Sequence, residues 1–211
     1  MELKQAIAGA FEEEVAALQG VLRIKSVECL GENGTVYGQG VADCLDYVLK
    51  LGASMGFAPR NVDGRCGYLE YGEGAELVTV LGHLDVVPEG TGWTYPPYGA
   101  EIHDGRIYAR GAIDDKGPMM AALYALKAVK ESGIALKRRV RLLFGLNEET
   151  GCACIRHYVE KGEELPAQTS SRGNLESISF KIRNQTKMPP GTILVQPVEV
   201  PASTVRQGKK I

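Results

Sequence analysis

The sequence lacks two features that would place a protein on a membrane or on nucleic acid. No stretch approaches the ~18 consecutive apolar residues that a membrane-spanning helix needs. There is also no excess of basic charge, because the formal net charge is -2 at pH 7. The first twenty residues, MELKQAIAGAFEEEVAALQG, are acidic and amphipathic, unlike a secretory signal peptide. We therefore expect no membrane span and no nucleic-acid partner.

Cysteine is sparse and without a disulfide pattern. An odd number of cysteines at irregular spacing predicts reduced thiols and a cytoplasmic location. The close pair in Cys-Ala-Cys could bind a metal, but two buried or partly buried thiols are the better interpretation. The five cysteines are Cys29, Cys44, Cys66, Cys152 and Cys154.

Residues 166–211 lack both aspartate and histidine. They carry seven Lys and Arg against two Glu, so this stretch is net positive while residues 1–165 are net negative. TILVQPVEV could form a strand, and the rest indicates loop or disorder. We predict a boundary near residue 165 between a folded region, 1–165, and an atypical tail, 166–211.

The apolar residues that are present, 44% of the chain, are enough for a sizeable core and follow clear periodicities. Helical spacing marks three segments: residues 3–22, with Leu3, Ile7, Phe11, Val15, Leu18 and Leu22 on one face, and residues 40–56 and 117–133. Strands are predicted at 66–74, 75–85 and 138–149, and a hairpin at 96–111 turns at Asp104-Gly105. Alternating strands and helices predict an α/β fold with right-handed crossovers.

Three polar clusters lie where ligands bind in such sheets, beyond the carboxyl ends of the strands. The strand LVTVLG ends in His83 and Asp85, which share a face because strand residues alternate. The loop before the long helix adds Asp114 and Asp115, and the last strand ends in the pair Glu148 and Glu149.

Each cluster also has a simple structural interpretation. His83 could be a satisfied structural histidine, and Asp85 could cap a turn. Asp114 and Asp115 could cap the following helix, and the Glu-Glu pair could be solvated. Together they favour a cation, because carboxylates at one sheet edge repel each other unless positive charge neutralises them. Histidine and carboxylates are suitable zinc ligands.

Three ordered motifs carry a family resemblance. GHLDVVPEGTGW, IYARGAIDDKGPMMAALYAL and FGLNEETG resemble the zinc-dependent M20 peptidases, with the bacterial PepV-like dipeptidases as the closest likeness. The resemblance covers about residues 1–165. It implies the first part of a catalytic domain with three layers, an open, mostly parallel sheet with helices on both faces.

The resemblance also implies roles for five residues. His83 matches a zinc ligand, and Asp85 matches the carboxylate that orients this histidine. Asp114 matches an aspartate that bridges two zinc ions, in preference to Asp115. Glu148 matches the general base and Glu149 a zinc ligand. The implied reaction is hydrolysis of a dipeptide or short peptide by metal-activated water, with Zn²⁺, or Co²⁺ or Mn²⁺, as cofactor.

The sequence departs from the family pattern after residue 165. The family has a further aspartate ligand, a further histidine ligand and an inserted lid or dimerisation domain, whereas this chain has no aspartate after Asp115 and no histidine after His157. We therefore expect a truncated form, with a frameshift or gene-model error near residue 165 as the explanation. Alternatives are a catalytically inactive fragment that binds metal weakly, or a carboxypeptidase or N-acyl amino acid deacylase. The oligomeric state is not indicated.

A few other polar and aromatic residues stand near these motifs. Trp93, Tyr95 and Tyr98 could line a substrate pocket or simply pack. Lys116 is expected to be an ordinary solvated lysine. His103 and His157 match no family ligand, and His157 is expected on a helix surface.

Overall fold

The computed structural model describes residues 2–166 and 192–194. These residues form five α-helices and seven strands, with a 3₁₀ turn at Glu32–Gly34. The helices are α1 (Leu3–Gly9), α2 (Phe11–Leu22), α3 (Gln39–Ser54), α4 (Lys116–Glu131) and α5 (Ala153–Glu160). The strands are β1 (Ala58–Val62), β2 (Cys66–Tyr71), β3 (Leu77–His83), β4 (Glu101–His103), β5 (Arg106–Tyr108), β6 (Arg139–Gly145) and β7 (Thr192–Leu194).

Five strands form one mixed sheet in the order β1-β2-β6-β3-β7. The two pairings of β3, with β6 and with β7, are parallel, whereas β1–β2 and β2–β6 are antiparallel. The strands β4 and β5 pair separately as the hairpin that Asp104-Gly105 predicted. The α/β class is thus confirmed.

Helices cover both faces of the sheet. On one face, α3 and α4 pack so closely that Gly52 lies against Leu69 and Gly82 against Met119. The other face carries Tyr68, whose ring contacts Tyr158 of α5. Neighbouring strand residues point to opposite faces, so these contacts define three layers, as the family resemblance implied.

The central strands read as continuous apolar runs because helices lie over both of their faces. The last five residues of β6 are all buried, as are the last three residues of β3. In the described part of the chain, no helix combines the length and the apolar character needed to cross a membrane.

The predicted N-terminal helix is wrong in two respects. First, the chain forms two helices that meet at Ala10. Second, mostly small residues of this segment face the core, whereas Leu3, Ile7 and Phe11 are 37%, 49% and 59% exposed. The buried positions are Ala6, Ala10, Ala17, Val21 and Leu22. Both the predicted large residues and the observed small residues recur at helical spacing. Because α1 and α2 approach α4 closely, the small residues are the ones that are buried.

The expected tail lies largely outside the described residues. The strand predicted in TILVQPVEV is present as β7, which pairs with residues 79–81 of β3. The boundary near residue 165 stays a prediction.

Candidate metal site

The ends of two parallel strands bring the first and third clusters together. His83 of β3 is in register with Gly145 of β6, and the main-chain N–H of Leu84 donates to the carbonyl of Gly145 over 2.9 Å. The Glu148-Glu149 turn therefore begins next to the point where His83 leaves the sheet. The loop before α4 supplies the second cluster, because α4 packs on β3 and β6.

The imidazole of His83 is the centre of the arrangement. It is 6% exposed, and its Nδ1 lies 3.0 Å from the carbonyl oxygen of Asp85 and 3.4 Å from Oδ1 of the same residue. Its Nε2 lies 3.0 Å from Asp114 Oδ1 and 3.8 Å from Glu148 Oε2. One nitrogen is thus held from behind while the other faces the carboxylates.

The three predicted ligands lie together. His83, Asp114 and Glu149 each offer a ligand atom, and these atoms all lie within 4.8 Å of one another. His83 is buried, whereas the two acids are exposed. The arrangement therefore has a buried imidazole on its inner side and accessible carboxylates on its outer side.

Asp85 contacts two parts of the site. Besides its contact with His83, its Oδ2 accepts a hydrogen bond from the main-chain N–H of Glu149 over 3.1 Å. The side chain is 1% exposed, and its Oδ1 faces the imidazole of His83. Asp85 thus contacts both the imidazole of His83 and the main chain of Glu149, and its role in orienting the imidazole stays a prediction.

Asp114 and Asp115 do not act as helix caps. Asp115 directly precedes α4, but its side chain makes no capping hydrogen bond. Its Oδ2 instead accepts from the main-chain N–H of His83 over 3.2 Å. The peptide bond between the two aspartates is cis.

Asn147 holds the Glu148-Glu149 turn, a contact that the sequence reasoning missed. Its Oδ1 accepts from the main-chain N–H of Ala153 over 2.7 Å, and its Nδ2 donates to Glu28 Oε1 over 3.2 Å and to Thr150 Oγ1. The only signal in the sequence was its place within the motif FGLNEETG. The buried amide fixes the loop from which the two glutamates project.

The charges around His83 favour a positive group at this position. Burial alone would lower the pKa of its imidazole, but hydrogen bonds with Asp114 and Asp85 outweigh burial and raise the pKa to about 11. The hydrogen bond with His83 lowers the pKa of Asp114 in turn. These acids thus stabilise a cation where they meet.

The remaining acids are crowded and partly dehydrated. Burial raises the pKa of Asp115 to about 7, although the positive charge of His83 acts to lower it. Burial also raises the pKa of Glu148 and of Glu149, and neighbouring carboxylates add to both shifts. A divalent cation would relieve this repulsion, and one imidazole with several carboxylates is a donor set that zinc accepts. The residues present therefore fit a metal ion.

Lys116 is not solvated, so that expectation is wrong. Its side chain is fully buried, and its Nζ donates to the carbonyl oxygens of Val21 and Ile24 over 3.1 and 2.7 Å. Burial lowers the pKa of this amine.

Four of the remaining aromatic residues and histidines have partners other than the three candidate ligands. The ring of Tyr95 stacks on His103 at 3.7 Å, and Trp93 Nε1 donates to the carbonyl of Glu89. His157 lies on α5, half-buried, with its Nε2 2.9 Å from Asp63 Oδ2. Cys152 and Cys154 are buried, and the five cysteines are free thiols.

Comparison with known proteins identifies similar sequences and structures whose names are those of peptidases. A Bacillus subtilis (strain 168) protein named "Putative dipeptidase YtjP" is 50% identical over 178 residues, which are 83% of this chain and 37% of that protein. The crystal structure of human carnosine dipeptidase 1 matches with a TM-score of 0.66 at 25% identity, over 76% of this chain and 38% of that one. An M20 family metallo-carboxypeptidase, Sso-CP2 from Sulfolobus solfataricus, matches with a TM-score of 0.61 at 29% identity, over 71% of this chain and 34% of that one.

The chain spans little more than a third of the length of these relatives. The sequence profile of Peptidase family M20/M25/M40 matches residues 79–200, more than half of the chain and a range that contains all three polar clusters. The motifs, the three-layer fold and this match agree, and the chain belongs to peptidase family M20/M25/M40.

Proposed function

We propose that this chain carries a zinc site of a dipeptidase and takes part in the hydrolysis of dipeptides or short peptides. The observation that carries the proposal is the meeting of His83, Asp114 and Glu149, whose ligand atoms lie within 4.8 Å of one another. Three protein ligands and an open position are the usual arrangement for a catalytic zinc ion. The dipeptidase names of the relatives support the substrate class.

Different residues would bind the metal and orient its ligands. His83, Asp114 and Glu149 would hold zinc, and Asp114 would bridge to a second ion if the family's remaining ligands are supplied. When bound, zinc supplies Lewis acidity that lowers the pKa of water and polarises a peptide carbonyl. Asp85 orients the imidazole of His83 from behind.

Glu148 fits the part of general base. Its carboxylate borders the cluster, 3.8 Å from His83 Nε2, and its side chain is 44% exposed, so it can reach a substrate. Burial raises the pKa of Glu148, which strengthens it as a base. It would take a proton from the attacking water and deliver it to the nitrogen of the leaving amine.

A catalytically inactive, weakly metal-binding fragment is the second candidate. The chain spans 37% of the length of the B. subtilis relative, and no aspartate follows Asp115 and no histidine follows His157. Carboxypeptidase or deacylase specificity would depend on parts of the family outside this match. A cytoplasmic location belongs to the same proposal and is supported by the free thiols.

The test compares zinc binding and hydrolysis in four forms of the 211-residue chain. These are the unchanged chain, Asp114→Ala, Glu148→Gln and Asp46→Ala, the last removing an exposed acid that pairs only with Lys50 on α3 among the described contacts. Zinc affinity is measured by competition with a chromogenic chelator, and hydrolysis on a dipeptide panel with zinc, cobalt or manganese.

We expect Asp114→Ala to weaken zinc binding by more than ~100-fold, since even outer-shell changes cost ~10–100-fold. Glu148→Gln should keep zinc and lose hydrolysis, and Asp46→Ala should change neither. Zinc binding without hydrolysis in the unchanged chain would favour the inactive fragment. A folded chain without zinc affinity would contradict the metal site.

A further inference from the structure

The carboxylate of Asp115 lies behind the candidate metal site, where the proposed chemistry gives it no part. It is 3% exposed, and its Oδ2 accepts from the main-chain N–H of His83 over 3.2 Å. The main-chain N–H of Leu84 points to β6, so the N–H of His83 points to the other side of β3. The described part of β7 pairs only with residues 79–81. Along residues 79–81, the main chain of β3 pairs with β7 on this side. At His83, the carboxylate of Asp115 takes the place of that strand as the hydrogen-bond acceptor.

Gly82 makes room for this carboxylate. A Cβ atom on Gly82 would lie 2.2 Å from Asp115 Oδ2 and 2.2 Å from Met119 Sδ. Such distances are far inside van der Waals contact, so the carboxylate and the start of α4 fill the space that a side chain would take. The position of Asp115 is therefore fixed by packing against the main chain of β3.

Asp115 is also joined to a second candidate ligand. It directly follows Asp114, whose Oδ1 lies 3.0 Å from His83 Nε2. Its side chain does not cap α4, so its hydrogen bond serves β3 and not the helix. One residue thus connects the main chain of His83 with the loop that presents Asp114.

We propose that Asp115 is a positioning residue that holds His83 and Asp114 at the separation that a metal ion requires. The inference rests on the proposed metal site, because it assigns Asp115 a role toward the ligands of that site. Asp115 acts through the main chain of His83 and does not itself contact the metal. An outer-shell hydrogen bond of this kind fixes a ligand before the metal binds, which increases affinity.

The experiment uses the whole 211-residue chain with Asp115→Ala, Asp115→Asn and the surface control Asp46→Ala. Zinc affinity is measured by chelator competition, and hydrogen exchange of the His83 main-chain amide by NMR on metal-free protein. Asparagine keeps an acceptor oxygen of the same reach, so it separates the hydrogen bond from the charge. Circular dichroism verifies that each variant is folded.

We expect Asp115→Ala to weaken zinc binding ~10–100-fold and Asp115→Asn to restore it to within about three-fold of the unchanged chain. In metal-free protein, the His83 amide should exchange at least ~10-fold faster in Asp115→Ala than in Asp115→Asn or Asp46→Ala.

Three results would overturn the inference. These are unchanged zinc affinity in Asp115→Ala, an Asp115→Asn variant as weak as Asp115→Ala, or unchanged exchange of the His83 amide in Asp115→Ala. If the unchanged chain binds no zinc, the proposed function fails, and amide exchange alone then decides whether Asp115 fixes His83. If zinc binds but does not depend on Asp115, the function stands and the positioning role falls.

Discussion

The ammonium group of Lys116 ties the start of α4 to the end of α2. Its Nζ donates to the carbonyls of Val21 and Ile24, which belong to the last turn of α2 and the residues after it. Carbonyls at a helix C-terminus have no partner within the helix, so a buried donor there satisfies them. Lys116 thereby links two helices beside the loop of Asp114.

Replacing Lys116 by methionine should destabilise the fold although the volume changes little. The substitution removes the buried donor from the carbonyl of Ile24 and one of the donors to the carbonyl of Val21, which keeps the main-chain N–H of Ile24 at 3.3 Å. This loss should lower the free energy of unfolding by about 1–3 kcal/mol. Lys50→Met is the control, because Lys50 is exposed and its ion pair with Asp46 should be worth less than about 0.5 kcal/mol. Urea denaturation measures both, and equal stability of the two variants would contradict the linking role.

The apolar runs predicted that the clusters of His83 and Glu149 meet at strand ends, and the family resemblance then selected His83, Asp114 and Glu149 as ligands. The structure places their ligand atoms close together, as expected. The contacts of Asp115 and Lys116 could not be anticipated in the same way. Both side chains are ionisable and buried against main-chain groups from distant segments, and no local pattern encodes such acceptors and donors.

At the scale of elements, the start of α3 is packed against the main chain of the segment after α2. A Cβ atom on Gly40 would lie 2.0 Å from the carbonyl oxygen of Lys25. Because the contact is with backbone, no side-chain rotation can relieve it. The helix can approach this segment only with glycine at this position.

Gly40→Ala should therefore destabilise the protein although alanine favours helix. We expect a loss of about 1–3 kcal/mol from overpacking. The control is Gly9→Ala in α1, where the added methyl group meets nothing within 4 Å. That change should be neutral or stabilise by up to about 1 kcal/mol. Thermal melting compares them, and a stable Gly40→Ala variant would show that α3 can shift.

The elements differ in how well the sequence predicts them. The helices α3 and α4 and the strands β2, β3 and β6 were expected, because each has a strong apolar period. The strand β1, of sequence Ala-Pro-Arg-Asn-Val, was missed because four of its five residues are exposed at the sheet edge. Pairing with β2, which propensity does not show, makes it a strand.

At the scale of the whole molecule, the described residues leave an apolar surface exposed at the N-terminal helices. Leu3, Ile7 and Phe11 follow each other at intervals of four residues on α1 and the start of α2, and each is more than a third exposed. Large apolar side chains exposed at this spacing favour association. Leu30, by contrast, is an exposed apolar residue outside these helices.

We expect the chain to associate as its concentration rises. Charged substitutions within the apolar surface, Ile7→Lys or Phe11→Lys, should shift the distribution toward monomer, because burying a lysine at a contact is costly. Leu30→Lys should have little effect. Sedimentation velocity over a range of concentrations measures this, and a monomer at every concentration would contradict the prediction.

The strand order also determines the sequence in which strands can pair while the chain is being synthesised. The pair β1–β2 can close as soon as residue 71 has been made, but β3 has no partner among the described strands until β6 is synthesised. About seventy residues must then loop back so that β6 can insert between its neighbours, which is a slow, non-local step. His83 is made early but meets Glu149 only after that insertion. Assembly of the ligand cluster is thus among the last events of folding, and a nascent chain that stops before β6 has no continuous sheet on which to build it.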